Sequence, residues 1–85
     1  MHDFMAHREV SYDERHFEIL AIGTDLGIEK TLHYDVFEKA VGGGYKDVYT
    51  KQITIGPYDS YSLRVNDLVE RLQTKPEDFF GIKHV

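Results

Sequence analysis

The sequence predicts a small α+β domain: an antiparallel sheet of three to four strands packed by one amphipathic helix. Three observations carry this. Residues 31–55, TLHYDVFEKAVGGGYKDVYTKQITI, hold two β-rich runs around a triple glycine, the pattern of a central hairpin. Residues 60–73 place Tyr61, Val65, Leu68, Val69 and Leu72 at helical spacing. Residues 16–23, HFEILAIG, alternate Phe17, Ile19 and Ala21 on one side with Leu20 and Ile22 on the other, as a central strand does.

At 85 residues the chain is one domain, residues 1–85, able to bury one core without a disulfide or metal. Apolar residues make up 41% and aromatics 13%, a globular composition. The absence of cysteine excludes a disulfide framework and a thiolate nucleophile or ligand, and favours a reducing, cytoplasmic setting. No apolar run approaches a membrane span, and MHDFMAHREV lacks the features of a signal peptide.

Taken in order, residues 1–7 read as a flexible N-terminal arm without periodicity. Residues 8–13 read as a short first strand, with Val10 and Tyr12 alternating with polar neighbours. Asp13, Glu14 and Arg15 form a polar break before the strand at 16–23, and Thr24-Asp25-Leu26-Gly27 signals a turn. Residues 28–41 admit two readings. As a strand, Leu32, Tyr34 and Val36 share one face; as a helix, Ile28, Leu32, Val36 and Ala40 share one, and Gly42 suits the C-terminal cap. The Thr, His, Tyr, Val and Phe at its centre suit a strand better, with a bulge near Phe37 where the alternation breaks.

The triple glycine reads as a hairpin loop, since a phosphate-binding loop needs a helix directly after it. Residues 48–55 alternate Tyr49, Ile53 and Ile55 against Val48, Thr50, Gln52 and Thr54, with Lys51 snorkelling from the apolar side at an edge. Gly56-Pro57 stops the strand, and Asp59 or Ser60 caps the helix. Pro76 opens a short second turn of helix, Phe79-Phe80 closes the core, and residues 82–85 form a tail that pairs at a sheet edge.

Net charge is −5, and the acids are concentrated early: residues 1–40 hold nine acids and four bases, residues 41–85 six of each. A nucleic-acid binder usually shows a basic footprint instead. None of the five histidines pairs at zincin spacing. His16 and His33 face each other if their strands are neighbours, with Asp35 or Glu18 nearby, but zinc needs three or four ligands, so no metal and no cofactor is expected. Ser60 and Ser62 are explained by capping, and Asp35 and Glu38 by a solvated face. No enzyme-grade motif is present, and a non-enzymatic role is expected.

Tyr34, Tyr45 and Tyr49 cluster on the hairpin with Lys46 and Lys51 close in sequence. Aromatic platforms interleaved with bases hold single-stranded nucleic acid. Several strands followed by one amphipathic helix resembles, over residues 31–73 and in element order, the positive-cofactor-four type of single-strand DNA-binding coactivator. Tyr34-Asp35-Val36 and Lys51-Gln52-Ile53 carry the resemblance; that family's basic positions are Phe37 and Gln52 here. The resemblance implies single-stranded nucleic-acid binding by the Tyr-rich hairpin. The first expectation is a binding module for a protein partner, an acidic inhibitor of a nucleic-acid enzyme being one form of it. The sheet face or the acidic N-terminal half is the contact expected for a protein partner, and Tyr34, Tyr45, Lys46, Tyr49 and Lys51 are the candidate binding residues. A homodimer is expected as well, through the exposed edges at residues 8–13 or 82–85.

Overall fold

A two-residue turn at Asp13-Glu14, with Asp13 at φ 54°, starts the sheet by folding β1 (Phe4–Tyr12) back onto β2 (Arg15–Asp25). The computed structural model describes residues 3–82. β3 (Lys30–Lys39) and β4 (Tyr45–Ile55) follow, and the four strands form one antiparallel sheet in the order β1-β2-β3-β4. Residues 28–41 therefore carry a strand, as their β-branched and aromatic centre favours. Gly42, Gly43 and Gly44 all take positive φ in the connecting loop, a conformation that glycine adopts without strain. Ala40 closes this loop, donating to the Gly44 carbonyl at 2.9 Å and accepting from Gly43 at 3.1 Å.

The expected break in alternation is a β-bulge. Val36 lies opposite Tyr49 and Phe37 opposite Asp47, so Val48 is the extra residue, on β4. β1 begins at Phe4, four positions before the expected start. The expected arm at residues 1–7 is therefore a strand from Phe4 onward. Its polar-looking sequence hides a pleat in which Phe4 and Ala6 pack inward while Met5 and His7 face out.

α1 (Tyr61–Thr74) and α2 (Pro76–Phe80) cover one face only. The Ser60 hydroxyl caps α1 by accepting the Leu63 N–H at 3.4 Å. Asp59 supports the cap from the other side, accepting the Ser60 N–H at 2.8 Å and pairing with Arg64 at 2.6 Å. Val65, Leu68 and Leu72 are buried, with Tyr61 and Val69 packed beside them, the stripe that the spacing predicts. They meet Val10, Phe17, Ile19, Ala21, Leu32, Tyr34 and Val36 from the sheet. Pro76 starts α2 and Gly81 ends it in the left-handed region at φ 66°. Phe80 is buried, whereas Phe79 stays half exposed under the Arg71 guanidinium, 5.5 Å from its ring centre.

Helix α1 packs over β1 and, less, β2; on the inner side, ring contact with β4 comes from Phe80 of α2, 5.1 Å from Tyr49. The sheet edges are thus β1 and β4. The C-terminal tail was expected to supply an edge, but Ile82 enters the core instead, and residues 83–85 lie outside the described residues. No helix among the described residues is long and apolar enough to cross a membrane.

Candidate interaction surface

Strand alternation sends the other half of each strand to the second sheet face, which neither helix covers. Strand pairing orders that face in rows. Met5, Ile22, His33 and Gln52 form one row, and His7, Leu20, Asp35 and Thr50 the next. Glu9, Glu18, Phe37 and Asp47 form a third. Apolar side chains run through the middle: Met5 is 73% exposed and Leu20 45%, with Ile22 and Phe37 half-buried.

Polar side chains around this strip hold one another. His7 Nε2 lies 2.8 Å from Glu18 Oε1, and Ser11 Oγ lies 3.1 Å from His16 Nδ1. The Thr50 hydroxyl donates to Asp35 at 2.5 Å and lies 3.2 Å from both Asp47 carboxylate oxygens. That hydrogen bond from Thr50 is the chief cause that holds the Asp35 carboxyl below its ordinary range, and Asp47 and His33 add to it. His33 Nε2 stands 3.4 Å from the second Asp35 oxygen. The rows place Glu9, Glu18, Asp35 and Asp47 on this face against Lys39, so it is acidic. Ser11, His16, Lys39 and Tyr45 border a shallow hollow of about 400 Å³ at one end.

The five residues expected to bind are not brought together. Tyr34 is 5% exposed and faces the helices, and burial pushes its hydroxyl up to about 12. Tyr49 shares that inner side, its ring 6.1 Å from that of Tyr34. Lys51 is on the same side but exposed at the edge, opposite Tyr34, and Lys46 is exposed opposite Glu38. Tyr45, 48% exposed, points to the opposite face beside Lys39. Tyr34 is a core residue and Tyr49 is packed half-buried against the core, so no shared platform forms.

Comparisons with protein-family models, curated proteins and solved structures find no match to this chain. The surface is therefore read from its own geometry.

His16 and His33 are on neighbouring strands but do not meet, because His16 lies opposite Ser11 and His33 opposite Ile22, rows apart. Among the described residues no three His, Cys, Asp or Glu side chains are grouped to hold a metal ion.

Glu38, expected on a solvated face, turns inward instead. Arg15 donates to both of its oxygens at 2.7 Å, stands 3.7 Å from Glu77 of α2, and stacks on Phe17 with 5.1 Å to the ring centre. Glu38 raises the Arg15 pKa further, chiefly through that hydrogen bond. The network ties β2, β3 and α2 together at the loop end of the sheet, beside an open groove of about 1090 Å³. The sequence signal was the parity of Glu38 with Leu32, Tyr34 and Val36, which places it on the buried side.

Proposed function

We propose that the chain is a non-enzymatic binding module that holds a protein partner on the uncovered sheet face. One observation carries the reading: an apolar strip of Met5, Leu20, Ile22 and Phe37 crosses that face, flanked by hydrogen-bonded polar residues. An apolar centre with a polar rim is the anatomy of a protein interface. The excess of carboxylates over lysine on this face suits a partner with a basic surface, whose approach it would accelerate. The nucleic-acid-handling enzymes expected from the charge balance belong to that class. The lack of cysteine fits a cytoplasmic setting for the encounter.

The alternative, a grip on single-stranded nucleic acid, draws less support. Stacking needs aromatic faces beside cations, whereas Tyr34 and Tyr49 are turned toward the helices and the charged groups of the exposed sheet face are mainly carboxylates.

The test is retention of proteins from the source cell on the immobilised chain, run beside a Met5→Lys/Leu20→Lys variant. The expected result is a defined protein retained at low salt by the wild type, lost by the double variant, and kept by Lys51→Ala. Equal retention by wild type and double variant would refute the reading. So would steeply salt-dependent binding of a single-stranded oligonucleotide.

A further inference from the structure

Each edge of a sheet offers a row of backbone donors and acceptors to any strand that fits beside it. The two edges of this sheet differ. α1 packs against β1, and β1 carries Arg8 and Glu9 at its centre, beside His7. β4 lies away from α1, and among the described residues no strand pairs with its outer edge. Its regular part begins after the bulge at Val48 and reads Tyr49 to Ile55, YTKQITI, with Lys51 as its one charge and no proline. Thr50, Ile53, Thr54 and Ile55 are β-branched, the composition that pairs best. Asp47 closes the bulged end by accepting the Tyr49 N–H at 3.2 Å.

We propose that two copies of this chain pair antiparallel through the outer edge of β4, about a two-fold axis at Gln52. The occupant is fixed by self-complementarity. A two-fold axis perpendicular to the sheet keeps like faces together, so paired residues have the same parity and the axis passes through a residue position. With the axis at Gln52, Gln52 meets its own copy and Thr50 meets Thr54 on the open face. On the helix face Lys51 meets Ile53 and Tyr49 meets Ile55. Thr–Thr and aromatic–β-branched neighbours are favourable cross-strand pairs, and no like charges are opposed.

One step toward the bulge, with the axis at Lys51, lysine faces lysine. One step the other way, with the axis at Ile53, Tyr49 and Thr50 fall opposite positions past the end of the strand at Ile55. Only the axis at Gln52 pairs all seven residues without opposing like charges. On β1 the three central positions for an axis each set a residue against itself: His7, Arg8 or Glu9. β4 is therefore the edge that fits its own copy. Pairing there also covers Tyr49 and Ile53, which one copy leaves half-buried, and joins two four-stranded sheets into a single surface with the acidic strip on one side.

Thr50, Gln52 and Thr54 are exposed, so their substitution spares the core. The experiment measures mass by sedimentation and light scattering from low to high micromolar concentration. It compares the wild type, a T50E/Q52E/T54E variant, a T50K/Q52K/T54K variant and their equimolar mixture, with circular dichroism on each. The wild type should reach twice the 9.9 kDa chain mass. Each folded triple variant should self-associate about tenfold or more weakly, since it opposes three like-charged pairs, and the mixture should dimerise again through opposite charges. Met5→Lys/Leu20→Lys should dimerise as the wild type does, which separates this edge from the partner-binding face. A wild type that stays at chain mass overturns the proposal, as does a folded triple variant that dimerises undiminished, or a mixture no tighter than its components.

Discussion

The ring of Tyr61 lies directly on Gly23: a Cβ placed on Gly23 would be 2.7 Å from Tyr61 Cε1 and 2.8 Å from Cδ1. The first residue of α1 thereby sits flush on β2. The same ring stacks on Phe4 at 5.2 Å between centres, and the Lys30 ammonium stands 5.5 Å from its centre. One glycine thus lets β1, β2, β3 and α1 meet around a single aromatic ring.

Gly23→Ala should push the ring off this seat and destabilise the fold by about 1–3 kcal/mol, the usual cost of overpacking. Urea unfolding checks it, and a double-mutant cycle locates the cause. In a Tyr61→Ala background the same substitution should cost much less. An equal cost in both backgrounds would show that the strain arises elsewhere.

The second expectation tests the helix face. Leu68, 7% exposed and central on the buried stripe of α1, should cost about 2–5 kcal/mol as Leu68→Ala. Arg64→Ala removes an exposed pair with Asp59 and should cost far less. Chemical denaturation that finds the two variants equally stable would contradict the packing of this helix.

Much of the fold was legible because its signals are local. The stripe of α1, the Ser60 cap, the glycine loop and the bulge near Phe37 can each be read within a few residues. The first strand was harder: HDFMAH has no apolar alternation, and only pairing with β2 shows that Phe4 and Ala6 share an inner face. The candidate site was least legible. Tyr, Lys and Thr along β4 look alike in sequence, whether they face helix or solvent. Strand parity separated Tyr34 from Tyr45, and the bulge reset that parity between Tyr45 and Tyr49. Which face the helices would cover depends on their crossing over β1, a non-local fact.

Acid should reveal the Asp35–Thr50 contact. The Asp35 pKa is lowered in the folded chain, chiefly by the Thr50 hydroxyl, so the ionised carboxylate is favoured by folding. Its contribution is present above the unfolded pKa, about 3.9, and is lost as pH falls through the lower folded value. Thr50→Val should therefore lower the melting temperature at neutral pH, and the gap to the wild type should narrow as pH falls through the lowered folded value of Asp35. A gap of constant size down to the lowest pH would mean that Thr50 acts through packing alone.

Alkali should single out Tyr34. Burial raises its hydroxyl to about 12, so folding favours the neutral phenol. The resulting stability is present below the unfolded value near 10 and is lost as pH rises toward about 12. Ultraviolet titration of the phenolates should show a late step that Tyr34→Phe removes. A titration curve that keeps this step in the variant would assign it to another tyrosine.

Arg15 and Glu38 yield the last expectation. The Arg15 side chain is 9% exposed and its guanidinium makes two 2.7 Å bonds to Glu38, with Glu77 also close. Removing one charge leaves the other desolvated against a poorer partner, which costs more than the pair's net worth. Glu38→Gln should destabilise by about 1.5–3 kcal/mol, the range for hydrogen bonds to charged groups. Arg15→Met/Glu38→Leu/Glu77→Gln removes all three charges and keeps the apolar contact with Phe17. This triple variant should recover most of the loss, because no side chain of the group then needs a charged partner. Denaturation of both variants beside the wild type measures this. A triple variant less stable than Glu38→Gln would show that the attraction within the group exceeds the cost of desolvating it.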